Sequence, residues 1–302
     1  MSGENNPMLA FSDFLVKAIV KGGESTVIVN GRRRIHASGI VYAPDLILTA
    51  DHVLERDDDL SIIMADGSNY PVTVAGRDPG NDIALLRLEK TSLTSAERTR
   101  LETQVGEIVI ALGRPTTEGI EASLGIVSAV GGPIRTGRGG MLERYLRTDT
   151  VPFPGFSGGP LIDIEGRVVG LNTSGLAHGA PITLPAALIW EVAEILDKYG
   201  YIKHGYLGIR SQLVSISSDL QKAIGREQQE GLLLVSVEAG SPAEVSGLLV
   251  GDILVAINGQ PVNDHDELFV YLNSQAVGKE ASIQILRGGK PTTISVIPGE
   301  RK

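Results

Sequence analysis

Apolar positions recur along the chain with two different periods. Between residues 11 and 21, Phe11, Phe14, Leu15, Ala18 and Ile19 fall three or four apart, which puts them on one helical face with Ser12 placed to cap it. From residue 25 to 174 the pattern changes to short β-branched runs bounded by turn residues, at 26–29, 39–42, 46–49, 61–64, 72–75, 83–88, 108–111, 125–130, 145–148, 160–164 and 167–171. Runs this short predict strands and not buried helices. Many strands at even spacing, with no helical crossover between them, predict antiparallel barrels or sandwiches; a parallel α/β sheet is excluded.

Helical spacing returns at 186–199, where Ile189, Val192, Ile195, Leu196 and Tyr199 share a face and Gly200 stands at the C-cap. A second set of strands begins near Tyr206, with a short helix expected at 264–273. A chain of 302 residues exceeds what one core usually fills, so the pattern divides it into an N-terminal helical segment (1–24), a first domain (25–200) and a second (201–302).

Composition narrows the function classes. The chain is 42% hydrophobic and 21% charged, an ordinary globular balance. Acidic residues outnumber basic ones 36 to 27, and the net charge of −9 disfavours nucleic acid as a partner. The one basic run, Arg32-Arg33-Arg34, follows Asn30-Gly31 and reads as the outgoing side of a hairpin. With no cysteine there is neither disulfide nor thiol chemistry, and nothing in the pattern calls for a metal or cofactor. Asp13 and Lys17 interrupt the apolar stretch 11–20, so no membrane segment and no signal peptide is expected. Residence is then cytoplasmic as the sequence stands, or periplasmic or extracellular if a leader has been removed.

Chemistry enters at Gly155-Phe156-Ser157-Gly158-Gly159-Pro160. A serine hydroxyl needs a base to take its proton and donors to hold the oxyanion it creates, and glycines let the Gly155 and Ser157 amides converge on one point. Gly-x-Ser-x-Gly also occurs in the nucleophile elbow of α/β-hydrolases, but that turn leads into a long helix, whereas 161–170 reads as a hairpin. A base stands upstream: His52 follows the apolar run 46–49 at a polar turn, and Asp82 lies at the mouth of the run 83–88. A carboxylate there can fix the imidazole tautomer and stabilise the imidazolium, although it can also simply cap a strand.

Taken together, Thr49-Ala50-Asp51-His52, Asp82 to Leu86 and Gly155 to Pro160, in the order His, Asp, Ser, resemble the trypsin and chymotrypsin family. The resemblance is strongest to the HtrA (Deg) proteases, through Gly76-Arg77-Asp78, 81–88, 111–115, Gly125 to Ser128, Thr148-Asp149 and Gly170 to Thr173. It implies a mainly β fold: a trypsin-like double six-stranded β-barrel followed by an α+β PDZ domain. It further implies a serine endopeptidase with His52, Asp82 and Ser157 as catalytic residues and the Gly155 and Ser157 amides as oxyanion hole. The chain departs from the family pattern at Phe156, where Asn is usual, and at Pro152-Phe153-Pro154. A homo-oligomer, a trimer by resemblance, would have to use the 11–21 helix.

The same resemblance places the S1 pocket at Val151, Pro152, Ile182 and Leu184. These offer no buried acid for Lys or Arg, so cleavage is expected after small to medium aliphatic residues of unfolded protein. Tyr206-Leu207-Gly208-Ile209 is similar to the carboxylate-binding loop of PDZ domains, implying peptide C-termini as partners that add a strand beside it. The rival reading is a catalytically silent chaperone or peptide-binding scaffold on the same fold.

Overall fold

The computed structural model describes residues 6–89, 93–136, 141–177, 180–272 and 276–301, and falls into two compact units, 1–202 and 203–302. Two closed antiparallel barrels of six strands make up the first unit. Around the first barrel run Thr26–Asn30, Ala37–Ala43, Leu46–Thr49, Ile83–Leu88, Asn69–Asp78 and Leu60–Ile63, closed where Ile28 meets Ile63. The second is ordered Tyr145–Thr148, Ala180–Pro185, Val168–Ala177, Pro160–Ile162, Ile108–Thr116 and Gly119–Gly131, closed by Leu146 opposite Val130.

Eleven of these strands match apolar runs in the sequence; Ala180–Pro185 does not. Prolines 181 and 185 flank its short apolar core and hide the strand signature, yet it pairs Ile182 with Thr173 and Thr183 with Leu146 and so completes the barrel. Strand alternation then sorts its side chains. Ile182 and Leu184 enter the main core with Ile189 and Leu196 of the helix Ala186–Tyr199, whereas Thr183 faces Asn172 and donates to its Oδ1 at 2.9 Å.

That helix ends as the sequence predicts. Gly200 adopts φ +79°, and its N–H caps the Leu196 carbonyl at 2.8 Å. The N-terminal helix is longer than its apolar pattern, Pro7–Glu24. Ser12 lies inside it, and the cap is Asn6, whose side chain accepts from Met8 N at 3.0 Å while Pro7 takes the first position.

In the second unit a five-strand path, Ile209–Ser215, Glu230–Val237, Ile253–Ile257, Ala281–Arg287 and Lys290–Val296, packs Leu232, Leu234, Leu254, Ile283 and Ile285 into its own core. The expected 264–273 helix is His265–Tyr271, capped by Asp264 onto Glu267 N; Asn273 lies outside the described residues. Two short helices, Ser218–Ile224 and Pro242–Val245, carry too few apolar positions for periodicity to reveal them.

Candidate active site

His52 sits in a single 3-10 turn, Asp51–Val53, that follows the strand Leu46–Thr49. Arg77 braces this turn with three hydrogen bonds. Buried Asp51 accepts from Arg77 Nε at 2.6 Å, and Arg77 Nη2 reaches the carbonyls of Asp51 and Leu54 at 3.3 Å each. Asp82 lies across from it in the left-handed region, φ +56°, a conformation that costs energy for any residue but glycine. The turn that delivers it is tied by Asn81 Nδ2 to Asp78 Oδ2 at 2.7 Å.

Both oxygens of Asp82 serve the histidine. Oδ1 accepts the His52 backbone N–H at 2.8 Å, and Oδ2 meets His52 Nδ1 at 2.7 Å. The Thr173 hydroxyl donates to that same Oδ2, and the Gly175 N–H donates to Thr173 Oγ1 at 3.0 Å. Burial pushes the Asp82 carboxyl up, but the hydrogen bond and charge of His52, together with the Thr173 bond, outweigh it and hold the carboxyl below its ordinary value. Gly175 closes over the pair: a Cβ there would lie 2.5 Å from Asp82 Oδ2 and 2.7 Å from His52 Nδ1.

Ser157 sits in a loop clamped to the first barrel by a residue that sequence reasoning did not single out. Ser38 N donates to Ser157 O at 3.1 Å and Ser38 Oγ to Gly155 O at 2.8 Å, while Ser38 O accepts from Thr49 Oγ1 at 2.8 Å. Phe156, the departure from the family pattern, points into the second barrel, almost wholly buried and edge-on to Phe153 at 5.4 Å. It anchors the loop. The Phe156 N–H closes a turn onto Phe153 O at 3.1 Å, whereas, among the described residues, the Gly155 and Ser157 amides donate to no acceptor in the chain. Those two donors, on either side of Phe156, are unspent.

The Ser157 hydroxyl is bonded to Ser174 Oγ at 3.3 Å; among the described residues no hydrogen bond joins it to His52. A cavity of about 330 Å³ opens beside it. Of the residues expected to form the S1 pocket, Pro152 and Ile182 line this cavity and Val151 and Leu184 do not. Val151 is 56% exposed, its N–H held by Ser123 Oγ at 2.8 Å, and Leu184, on the same strand face as Ile182 but one pleat further on, is fully buried in the main core. Thr148, Thr150, Asn172 and Thr183 also line it, together with Ile35, Ala111 and Phe153. Among the described residues Asn172 Nδ2 is buried without a partner.

In the second unit the loop 206–209 presents two further unpaired amides. Gly208 has φ +80°, and its carbonyl accepts from Glu238 N at 2.8 Å, as that of Leu207 does from Ala243 N at 2.9 Å. Among the described residues the Leu207 and Gly208 N–H groups have no acceptor. Among the described residues the strand Ile209–Ser215 that follows pairs with one neighbour only, and His265 Nε2 lies 3.1 Å from the Ser211 carbonyl on it.

Comparison with known proteins agrees with this geometry. Residues 37–171 match the trypsin-like peptidase domain and residues 205–297 the PDZ domain. A probable periplasmic serine endoprotease, DegP-like, of Rhizobium meliloti is 31% identical over 277 residues, 88% of this chain and 53% of the relative. The periplasmic pH-dependent serine endoprotease DegQ of Escherichia coli is 32% identical over 274 residues, 86% of this chain and 58% of the relative. The chain thus spans little more than half the length of these curated relatives. Among solved structures, the HtrA-type protease AlgW with tripeptide is 26% identical with a TM-score of 0.77, covering 95% of this chain and 97% of that one. A serine endoprotease from Yersinia pestis, 25% identical, has a TM-score of 0.76 and covers 95% and 98%. Two barrels, a His52–Asp82 pair beside Ser157, a following PDZ domain and these likenesses together place the chain in the HtrA-type family of trypsin-like serine proteases.

Proposed function

We propose that the chain is a serine endopeptidase of protein quality control, with Ser157 as nucleophile, His52 as general base and Asp82 as its orienting carboxylate. The observation that carries this reading is the His52–Asp82 pair, in which both carboxylate oxygens are committed to one histidine. With Nδ1–H facing Asp82, Nε2 is the basic nitrogen. It takes the Ser157 proton as Oγ attacks the scissile carbonyl, and the unspent Gly155 and Ser157 amides receive the developing oxyanion. His52 then gives the proton to the leaving amine, and water repeats the cycle to release the acyl group. The role assignments follow the Ser-His-Asp template, a standard worked case.

Substrates on this reading are unfolded proteins and peptides. No carboxylate lines the described cavity, so a Lys or Arg side chain would enter it without a partner. Pro152 and Ile182 accept small to medium aliphatic residues, and the threonines admit hydroxyl-bearing ones of the same size. The PDZ unit would bind peptide C-termini, the carboxylate on the Leu207 and Gly208 amides and the peptide strand on the free edge of Ile209–Ser215. The named relatives are periplasmic, and we carry that compartment over; the cytoplasmic residence expected from the sequence gains no support from them. Among the described residues no helix is long and apolar enough to cross a membrane. A homo-oligomer would cover Met8, Phe14, Val16 and Val20, which the N-terminal helix leaves exposed.

One observation favours the catalytically silent scaffold: the Ser157 hydroxyl is engaged by Ser174 and not by His52. Fluorophosphonate labelling of Ser157, run beside digestion of denatured casein, separates the two. Labelling and cleavage support the enzyme; absence of both supports the scaffold. For the PDZ unit, amidating the C-terminus of a bound peptide is expected to weaken binding sharply, and equal affinity for acid and amide counts against the cradle.

A further inference from the structure

The Arg32-Arg33-Arg34 run has no task in the mechanism above. Arg33 and Arg34 are exposed, but Arg32 is half-buried and lines the same cavity as Ser157, Thr150 and Ile182. Other partly buried arginines are held: Arg77 by Asp51, Arg114 by the carbonyls of Gly23 and Thr26, Arg287 by Asp252. Among the described residues Arg32 has neither an ion pair nor a hydrogen bond. Burial, the largest influence on it, pushes its guanidinium below the ordinary value, while the charges of Glu55 and Asp82 act the other way. An arginine does not escape by losing its proton, so five donors stay charged and unpaired in a partly desolvated wall.

Such a group is satisfied by a planar anion brought into the cavity, and no described carboxylate of the chain lines it. Among the described residues that line the cavity, Arg32 is the one cation. We propose that Arg32 is a specificity-determining residue that pairs with a carboxylate of the substrate next to the scissile bond. This rests on the endopeptidase reading and refines it: the preferred sites in unfolded chains are those with a medium-sized residue before the cut and an acidic group close by. That carboxylate is an Asp or Glu side chain or the free end of a short peptide.

The test uses the full chain and fluorogenic peptides blocked at both ends. Each carries Asp, Glu, Asn or Gln at one of the three positions on either side of the cut, and a further set has a free C-terminus as its only carboxylate. The expected result is that at one position the acid raises kcat/KM about tenfold over its amide, less at high salt. Arg32→Gln brings that ratio near one, Arg32→Glu reverses it in favour of Lys, and Arg34→Gln, outside the cavity, keeps it. A preference confined to the free C-terminus identifies the chain end as the source. Cleavage with no acid preference at any position, or a preference that survives Arg32→Gln, overturns the role of Arg32 alone. Failure to cleave any peptide, together with no fluorophosphonate labelling, overturns the endopeptidase reading and this inference with it.

Discussion

Ser157 Oγ lies 3.3 Å from Ser174 Oγ, and among the described residues no hydrogen bond joins it to His52. A neutral hydrogen bond of this kind contributes about 1 kcal/mol, a factor of roughly five in an equilibrium. Ser174→Ala is therefore expected to speed fluorophosphonate labelling about two- to tenfold, with Ser174→Thr restoring the slower rate. Time courses read by intact-mass spectrometry check it, and an unchanged or slower rate in Ser174→Ala shows that the serine pair does not restrain the nucleophile.

The residues of the pair and the nucleophile differ in what their loss should cost. Ser157→Ala is expected to lower turnover by about four to six orders of magnitude, roughly 5 to 8 kcal/mol of barrier, with the fold intact. Asp82→Asn keeps the shape but offers a donor where His52 Nδ1–H needs an acceptor, and a loss of about four orders is expected, as in the trypsin case that serves as the standard example. Steady-state cleavage of a peptide substrate measures both. Residual activity within tenfold of the parent in Ser157→Ala would rule this serine out.

Asp82 also predicts a pH dependence of stability. Its carboxyl is held below the ordinary value in the folded state, so its contribution is present above the unfolded value, about 3.9, and is lost as pH falls through the lower folded value. Trp190, the only tryptophan of the chain, lies in the first unit, so its fluorescence reports that unit's unfolding. Urea midpoints of the parent and Asp82→Asn should differ above about pH 5 and converge as the pH falls below about 4. Thr173→Val removes one of the bonds that lower the carboxyl and should move that convergence to higher pH. A difference independent of pH down to 3 contradicts the assignment.

Much of this molecule is legible in its sequence because β-branched runs and helical spacing report burial directly. Eleven of the twelve barrel strands and the capped helix before Gly200 follow from such patterns, and His52, Asp82 and Ser157 are conspicuous because their motifs are local. What escaped notice is set by contacts distant in sequence. Ser38 clamps a loop some 117 positions away, and Thr173 reaches Asp82 across 91 positions. Thr173 stands in the family-like segment Gly170 to Thr173, a signal that marked the segment without revealing its role. Val151 and Leu184 illustrate the other limit. The family resemblance places them in the pocket, but Val151 lies exposed on its loop and Leu184 is packed one pleat beyond Ile182 in the main core.

The PDZ loop depends on Gly208. At φ +80° a side chain is strained, and a Cβ would lie 2.2 Å from Ser241 Cβ, so Gly208→Ala must displace the loop that offers the Leu207 and Gly208 amides. Binding of a C-terminal peptide, read by isothermal titration, is expected to weaken at least tenfold, while fluorophosphonate labelling of Ser157 proceeds at the parent rate. Unchanged peptide affinity shows that the carboxylate does not sit on this loop.

Gly155 makes the corresponding prediction for the oxyanion site, and here geometry separates catalysis from folding. Its φ is +93°, and an added Cβ would meet Pro115 Cβ at 2.5 Å and the His36 carbonyl at 2.8 Å. Both neighbours are packed, and the carbonyl is backbone, so the loop and not its surroundings must move. Its own carbonyl is fixed by Ser38 Oγ at 2.8 Å, which leaves the peptide on the N-terminal side, the one that carries the Gly155 N–H, as the part that turns. Gly155→Ala should therefore misdirect one of the two oxyanion donors and lower kcat by about 10²- to 10³-fold, the usual cost of losing such a donor, with KM changed far less. A replacement that only loosened the fold would lower the Trp190 melting transition and reduce kcat in proportion to the unfolded fraction. Measuring kcat, KM and that transition on one preparation distinguishes the two: an unshifted transition with kcat within threefold of the parent means that the Gly155 amide does not hold the oxyanion.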